Sequence, residues 1–423
     1  MNNAEGNRVQ GKRAKRPVDE PARGIFKMPE VVGSGDVALT AAVVGLIAFG
    51  VVMVYSASAV FASQEYGDGY HFLVRQGVYA CLGILVILVV ARIDYHRYRL
   101  KVLTYGVLGF CVLLLLLVLM GAGRSAGGAQ RWLQIGPINV QPAEMTKLAL
   151  IMWLSYSLSK KRAVIKSFSV GFLPHVLVAG MLMLLCLKQP DFGSAIMIAL
   201  LTGVMLFTAG VRVGYLLASA AVALPAAWAL IASSPYRMRR IRAFLEPFEH
   251  RYDVGYQIFE SLVSFGAGGV GGVGIGDSRQ KLLFLPEAHT DFISAIIGEE
   301  LGLIGVVVLL LVYGLVIVRG LQAAVRSVDE YGSLLAVGIT VFIGIQAYTN
   351  LAVAMGMLPT KGLVLPFISY GGSSLLVNCA AVGVLINVSR PRKAPAKPSV
   401  ASKPARPERR RASLHPARQG GSA

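Results

Sequence analysis

The sequence predicts an all-α protein that crosses a membrane about ten times. Two observations support this class. Hydrophobic residues make up 55% of the 423 residues and charged residues only 15%, against roughly 25% charged residues in a soluble domain. A membrane-spanning helix needs about 20 apolar residues, and runs of about that length recur along the chain. One such run could be a buried core helix of a soluble protein, but this many could not.

The apolar runs define ten spans, and the long polar segment 234–291 between the seventh and eighth spans is predicted to be a large extracytoplasmic loop. The second span starts beside Arg75, and the fourth contains Glu144 and Lys147, so their apolar character is the weakest. The four cysteines all lie in apolar runs and predict no disulfide scaffold. The predicted spans are 37–57, 73–91, 102–121, 143–159, 168–187, 192–211, 214–233, 292–318, 332–355 and 371–389.

The two terminal segments, 1–36 and 390–423, are polar and rich in Lys and Arg. Ten spans place both termini on one side, and the bias of basic residues predicts that this side is the cytoplasm. The first span then acts as an uncleaved anchor, and the segment 390–423 is predicted to be disordered. The formal net charge of +19 could also suit nucleic acid. No interleaved aromatic residues accompany the basic tails, so we expect membrane lipids and no nucleic acid as their partners.

The predicted extracytoplasmic loop, 234–291, begins with a cluster of arginines that includes Arg237, Arg239 and Arg240. A basic and apolar stretch beside a membrane suits an interfacial helix that binds a phospholipid or a lipid-linked phosphate. It also suits a simple anchor whose long side chains reach the headgroups. The glycine run 266–276 resembles a phosphate loop, but no GK[ST] follows it. A flexible loop or a close approach of helices is the better interpretation of that run.

Asp291 ends the loop at the predicted start of span eight. A carboxylate at this position can cap the helix and meet the positive end of its dipole. It can also act as a general base that faces a substrate at the membrane surface. The spacing of residues leaves both interpretations open.

Charged residues inside the membrane segments are the other candidates. Glu144 and Lys147 stand three residues apart, on one helical face, and Asp191 begins span six. A lone charge in a membrane helix costs roughly 2.5–3.5 kcal/mol on insertion scales, so such residues pair with each other or serve a function. The segment 355–374 is rich in Gly, Pro and Ser at membrane depth. Irregular backbone there must be buried in protein or line a wet cavity.

Five of these motifs, in a consistent order, resemble the SEDS family (FtsW, RodA and SpoVE). They are QPAEMTKLAL, KQPDFGSA, YQIFESLVSFGAGG, LPEAHTDFISAIIGEELG and LPTKGLVLPFISYGGSS. The MVYSASA of the first span and the long basic tails are most similar to the cell-division branch. The resemblance implies a ten-helix fold and a peptidoglycan glycosyltransferase that polymerises lipid II, with undecaprenyl diphosphate as the leaving group.

The resemblance also implies roles for particular residues. The essential aspartate of the family corresponds to Asp291, and its important Glu and Lys correspond to Glu144 and Lys147. Ser294, Glu260 and Lys361 depart from the usual residues at their positions. The remaining substrate-binding candidates lie in the last motif or were named above: Lys361, Ser369, Gly371, Gly372, Ser373, Asp191, Arg237, Arg239 and Arg240.

The resemblance implies further partners and a location. The partners are a class B penicillin-binding transpeptidase and other division proteins, and the location is the bacterial inner membrane at the division septum, with the active site facing the periplasm. No cofactor is evident; the family allows a divalent cation, for which the sequence shows no ligand set. Two alternatives stay open: a lipid II flippase whose path is lined by Glu144, Lys147 and Asp191, and a non-catalytic division scaffold.

Overall fold

The structure is a computed structural model, and it describes residues 31, 33–126, 129–136, 138–282, 284–360 and 362–392. Helices dominate these residues, and a small sheet lies between the third and fourth helices. The two tails, 1–30 and 393–423, lie outside the described residues, and so does the expected disorder of the C-terminal tail. The helices are α1 Val37–Tyr66, α2 His71–Arg92, α3 Lys101–Leu117, α4 Pro142–Lys160, α5 Leu173–Lys188, α6 Phe192–Thr208, α7 Val213–Ala232, α8 Pro235–Leu245, α9 Tyr256–Gly268, α10 Ile293–Arg326, α11 Glu330–Ala354 and α12 Gly372–Ser389.

All ten predicted spans are helices, which confirms the predicted fold class. Eight of the described helices are long and apolar enough to cross a membrane. The other two predicted spans are α4, which starts with Glu144 and Lys147, and α6, which has only 17 residues. Both pack into the bundle, where neighbouring helices bury most of α4. The chain is therefore a multi-pass membrane protein.

Local sequence signals set several helix ends. The Asp36 side chain accepts a hydrogen bond from the Leu39 amide at 2.9 Å and starts α1. Gly67, with φ of 72°, ends the same helix in the left-handed region that favours glycine. Pro142 occupies the first turn of α4, where its missing N–H costs no hydrogen bond. Because Gly67 provides the C-terminal cap, α1 continues to Tyr66, nine residues beyond its predicted end at 57.

A three-stranded antiparallel sheet connects α3 to α4, and the sequence analysis assigned no structure to this connection. Its strands are β1 Arg124–Ala126, β2 Ala129–Ile135 and β3 Ile138–Val140, in the order β1-β2-β3. Leu133 pairs with Val140, and Ile135 pairs with Ile138. The sheet lies at the same end of the bundle as Asp291, because its Asn139 carbonyl accepts a hydrogen bond from Ser373 at the start of α12.

The predicted extracytoplasmic loop contains helices α8 and α9. The helix before it, α7, has no buried residue and presents an almost wholly apolar surface, as expected of a helix that mostly contacts lipid. By contrast, nearly three quarters of the residues in the most apolar 18-residue stretch of α11 are buried, and the same holds for α12. The core of the bundle therefore centres on α11 and α12.

The glycine run 266–276 packs against a break in α10. Gly302 has φ of 63°, and backbone amides of the run fill the gap: Val273 N–H donates to Glu299 and Gly274 N–H to Glu300, both at 3.0 Å. A Cβ on Gly272 would lie 2.2 Å from the Glu300 carbonyl oxygen. The run is thus a close backbone approach, and its amides are engaged with α10, where a phosphate loop would need them free.

The end of the bundle opposite Asp291 gathers the first and last described residues. Asp36 pairs with Arg319 of α10 at 2.7 Å, and the backbone of Val31 pairs with that of Arg392. The guanidinium of Arg392 is buried and pairs with Asp94 at 2.9 Å. Ion pairs therefore hold the described chain in place near both of its ends.

Candidate active site at the start of helix α10

Asp291 lies two residues before α10, in a half-buried position. The cap of this helix is Phe292, and no side chain accepts a hydrogen bond from its first amides. The capping interpretation of Asp291 is therefore wrong. Its carboxylate makes no ion pair or hydrogen bond within the described residues, so both oxygens stay available to a substrate.

Asn350 of α11 holds the backbone at Asp291. Its Nδ2 donates to the Asp291 carbonyl at 2.8 Å and to the Leu363 carbonyl at 2.7 Å. Its Oδ1 accepts from Ser294 Oγ at 3.0 Å, so the departure from the family pattern at Ser294 has a local partner. One buried amide thus ties the end of the loop, α10 and the segment after α11 together. The sequence analysis missed Asn350, which carries no charge to mark it inside an apolar helix.

The segment after α11 lies against the carboxylate. A Cβ on Gly362 would stand 3.1 Å from Asp291 Oδ2, so the glycine lets the chain pass close to it. Arg240 of α8 donates to the Thr360 carbonyl at 3.3 Å, which places its guanidinium beside the same segment. The candidate Lys361 lies outside the described residues.

Burial raises the pKa of Asp291 to about 7, and the charge of Glu287 adds to the rise. Arg240 and Arg131 oppose it by stabilising the charged form. Part of the side chain stays open to solvent, so protein surrounds the carboxyl group without closing it off. A carboxyl with a pKa near neutrality can take up a proton and release it again, as a general base requires.

Arg131 of β2 was not named by the sequence analysis. It donates to the carbonyls of Gln189, at 3.3 Å, and Pro190, just before α6. It also acts on the charge of Asp291. The sheet therefore places the Arg131 guanidinium near the site, although the sequence analysis treated this segment only as a connection between helices. A lone arginine within the short, largely uncharged segment AQRWLQI was the available signal.

The three arginines predicted from α8 separate in the structure. Arg237 and Arg240 stand three residues apart on one face: Arg237 lies over the ring of Phe192, at 5.6 Å, and Arg240 reaches Thr360. Arg239 points from another face and is exposed. The structure brings Arg240 to Asp291 and places Arg237 beside the start of α6.

Asp191 caps α6. Its Oδ1 accepts from the Ser194 amide at 3.0 Å, and its Oδ2 accepts from Ser194 Oγ at 2.8 Å. Gln141 donates to the same carboxylate at 3.4 Å. The carboxylate is buried, and the helix start accounts for its hydrogen bonds.

Glu144 and Lys147 pair inside the bundle. Lys147 Nζ lies 2.6 Å from Glu144 Oε1, and the Lys147 side chain has no exposed surface. Gln346 of α11 donates to Glu144 Oε2 at 3.1 Å, and Ser374 of α12 lies 3.5 Å from the same oxygen. The pair therefore joins α4, α11 and α12 in the buried interior of the bundle.

The last motif supplies close packing around the site. Ser369 Oγ accepts from the Leu365 amide at 2.8 Å, and Ser373 binds the sheet through Asn139. A Cβ on Gly372 would stand 2.4 Å from the ring of Tyr79, so a larger residue would have to displace that ring, and Gly371 precedes it in extended backbone. Phe367 has φ of 68°, an uncommon conformation for a residue with a side chain. These residues shape the wall of the site.

The described residues offer no cluster of three His, Cys, Asp or Glu side chains that could hold a metal ion. Asp291 and Glu287 are two carboxyl groups near each other, without a third such ligand. The described residues therefore show no preformed three-ligand site, and the chemistry below rests on the residues themselves.

The fold defines a class of multi-pass membrane proteins, and the candidate site with Asp291 lies at one end of the helix bundle. Residues 37–394 match the family described as cell cycle protein, FtsW/RodA/SpoVE. The chain belongs to this family, which confirms the resemblance seen in its motifs.

Named relatives and solved structures support the membership. A probable peptidoglycan glycosyltransferase FtsW of Geobacter sulfurreducens is 48% identical over 84% of this chain and 95% of its own. The stage V sporulation protein E of Bacillus subtilis is 40% identical over 84% of this chain and 97% of its own. The rod shape determining protein RodA of Thermus thermophilus matches with a TM-score of 0.64 at 30% identity, over 85% of this chain and 97% of that one. A chain from a peptidoglycan synthase complex, solved to show the coordination of polymerization and crosslinking, matches with a TM-score of 0.69 at 30% identity, over 84% of this chain and 98% of its own.

Proposed function

We propose that this chain is a peptidoglycan glycosyltransferase that polymerises lipid II, with Asp291 as the general base. One observation carries the proposal. The Asp291 carboxyl group has no hydrogen-bond or ion-pair partner among the described residues, burial raises its pKa to about 7, and two arginines from different elements act on its charge. The names of relatives at 40–48% identity support the same activity.

In the proposed reaction, Asp291 takes the proton from the 4-hydroxyl of the acceptor sugar. The oxygen attacks the anomeric carbon of the donor, the bond from that carbon to the diphosphate oxygen breaks, and undecaprenyl diphosphate leaves. A diphosphate leaves as a stable anion, so no second carboxylic acid is needed to protonate it. The partly open position of Asp291 lets it return its proton to water before the next cycle.

Arg131 and Arg240 are the proposed partners of the diphosphate. A planar guanidinium binds phosphate oxygens in pairs and keeps its charge at any physiological pH. Fixed positive charge beside the site stabilises the negative charge that develops on the leaving group. Arg237 lies on the same face of α8 as Arg240 and can extend this surface toward α6.

The location and partners follow from the same proposal. The bias of basic residues supports a cytoplasmic location for both tails and a periplasmic one for Asp291. The similarity to relatives named FtsW supports a location at the division septum. The match to a chain of a peptidoglycan synthase complex supports a penicillin-binding transpeptidase as partner. Other division proteins remain part of the proposal on the strength of the family alone.

The flippase alternative needs charged residues along a path through the membrane. Glu144 and Lys147 neutralise each other in the core, and Asp191 is engaged by Ser194 and Gln141. All three residues therefore have structural partners within the bundle. A scaffold alone would not need the uncapped carboxyl group of Asp291. Both observations favour the enzyme.

The test is polymerisation of lipid II in detergent, where no membrane sidedness exists, by the purified chain with its transpeptidase. Asp291→Asn removes the base and keeps the shape, and positioned base catalysis contributes roughly 10²–10⁴-fold. Asp253→Asn is the matched control, because Asp253 is exposed in the same loop. Wild type and Asp253→Asn should build glycan, and Asp291→Asn should not. Normal glycan synthesis by Asp291→Asn would refute the proposal, and lipid movement without any polymer would favour the flippase.

The phosphate assignment has its own test. Arg131→Gln and Arg240→Gln should each raise the lipid II concentration needed for half-maximal rate roughly tenfold, since a hydrogen bond to a charged group is worth about 1.5–3 kcal/mol. Arg239→Gln removes the same charge from the exposed face of α8 and should change it little. Equal effects at all three positions would indicate general attraction of an anionic lipid.

A further inference from the structure

A groove opens between α1, α2 and the end of α12, at the end of the bundle opposite Asp291. Its volume is about 510 Å³. Apolar and small residues line most of it, including Val44, Leu88 and Ile386. Asp36 and Arg319 mark the same end, about 28 Å along α10 from the level of Glu300 at 1.5 Å per residue.

Small side chains create the groove. Gly35 and Ala41 line it at the start of α1, and Ala41 is exposed. Ala91 lies opposite them near the end of α2. A groove that is lined mostly by apolar residues and is open to the outside can hold part of a hydrocarbon chain.

Two arginines stand at the mouth of the groove, Arg92 and Arg390. A hydrogen bond brings them close together: Asn387 of α12 donates to the Ala91 carbonyl at 2.8 Å. Ala91 directly precedes Arg92, and Asn387 lies three residues before Arg390. Neither arginine makes an ion pair within the described part of the chain. The Nε of Arg390 is buried and has no hydrogen-bond partner there.

A buried Nε without a hydrogen-bond partner is also found in the neighbouring Arg319 and Arg392, so the difference lies in the ion pairs. Arg392 pairs with Asp94 at 2.9 Å and Arg319 pairs with Asp36 at 2.7 Å, so carboxylates neutralise both. Of these four arginines, only Arg92 and Arg390 have no carboxylate partner among the described residues, so they can bind an anion that is not part of the chain. A buried guanidinium nitrogen without a partner carries a desolvation cost that a phosphate oxygen would remove.

We propose that this groove binds an anionic phospholipid, with one acyl chain between α1 and α2 and its phosphate between Arg92 and Arg390. The groove supplies the apolar length and the two guanidinium groups supply the charge. A neutral transmembrane helix could also fill an apolar slot beside small residues, but it would leave both arginines without a counter-charge. The site is separate from Asp291 and does not depend on the proposed reaction.

The test measures bound lipid on the purified full-length chain by native mass spectrometry. The probe is an equal mixture of dioleoyl phosphatidylglycerol and dioleoyl phosphatidylcholine in detergent micelles. Wild type should retain phosphatidylglycerol in preference. In the double variant R92Q/R390Q, the ratio of bound phosphatidylglycerol to bound phosphatidylcholine should fall by a factor of at least roughly ten, because each basic residue near the membrane surface contributes a several-fold effect.

Two further variants make the test specific. R97Q/K101Q removes two exposed charges from the same end of the bundle, outside the groove, and should keep the preference. Ala41→Leu narrows the groove without changing charge and should lower retention of both lipids. The proposal fails if wild type shows no preference, if both charge variants lose it equally, or if Ala41→Leu retains phosphatidylglycerol as wild type does. Loss of self-association in Ala41→Leu without any lipid preference in wild type would instead assign the groove to a second transmembrane helix.

Discussion

Asp191 and Asp291 occupy the same kind of position, at the start of a membrane helix on the same side of the bundle. Asp191 is buried and accepts hydrogen bonds from the amide and hydroxyl of Ser194. Asp291 is half-buried, and its carboxylate accepts none from the described residues. The sequence context of the two is similar, but the backbone after Asp291 turns its carboxylate away from the amides of α10.

The difference shows how one residue type can serve structure at one position and chemistry at another. A carboxylate that receives amide hydrogen bonds is stabilised in its charged form and spends its lone pairs on the helix. A carboxylate that is desolvated without such bonds keeps its lone pairs and gains affinity for a proton. Asn350 provides the backbone support that a cap would otherwise provide at Asp291.

The largest expected effect comes from the same substitution at both positions. Asp291→Asn should lower the rate of glycan synthesis by roughly 10²–10⁴-fold because it removes the base. Asp191→Asn should change the rate less than about tenfold, because asparagine caps helices as well as aspartate does. The measurement is the steady-state rate of lipid II polymerisation. Comparable losses at both positions would show that Asp191 takes part in the reaction.

Asn350→Ala should have the next largest effect. It leaves the carbonyls of Asp291 and Leu363 without their donor, at about 1–3 kcal/mol for each unsatisfied buried group. The freed loop should displace Asp291 and lower the turnover rate roughly tenfold to a hundredfold. Asn387→Ala is the control, because Asn387 makes similar buried hydrogen bonds at the opposite end. Both variants should melt at lower temperature, and only Asn350→Ala should lose turnover in the residual folded protein.

Removal of the cap should cost stability without a large loss of activity. Asp191→Ala deletes the acceptor for the Ser194 amide and should lower the free energy of unfolding by about 1 kcal/mol. Chemical unfolding in mixed micelles measures this change. A loss of glycan synthesis in Asp191→Ala that exceeds the loss of folded protein would contradict a purely structural role.

The smallest effect is a change in the pH dependence of stability. Asp291 has a pKa of about 7 in the folded chain, above its value when unfolded, so the folded state binds more protons between these values. The stability it contributes is present at low pH and falls as the pH rises toward 7. Asp291→Asn cannot lose a proton, so its melting temperature should exceed that of wild type at pH 8. The difference should shrink near pH 5, and the opposite trend would show that the charged form of Asp291 is stabilised by the fold.

The sequence predicted the helix bundle, which the structure confirms, and it named Asp291 as the candidate acid, but it missed the groups that surround this residue. Apolar runs are a local property, so all ten helices could be placed from them, and the family motif pointed to Asp291. Arg131 and Asn350 reach the site from β2 and α11, and only the folded chain shows that their partners are backbone carbonyls. Lys147 illustrates the limit of residue type alone: its charge was compatible with a pair or with a function, and the structure shows the pair with Glu144.

The pairing of Val31 with Arg392 closes the chain on itself, since its first and last described residues are neighbours. Reporter fragments fused directly at these two points would start side by side on one molecule. Split fluorescent halves placed there would complement within a monomer and imitate self-association. Studies of assembly that use such tags should therefore place one half on a different connection between helices.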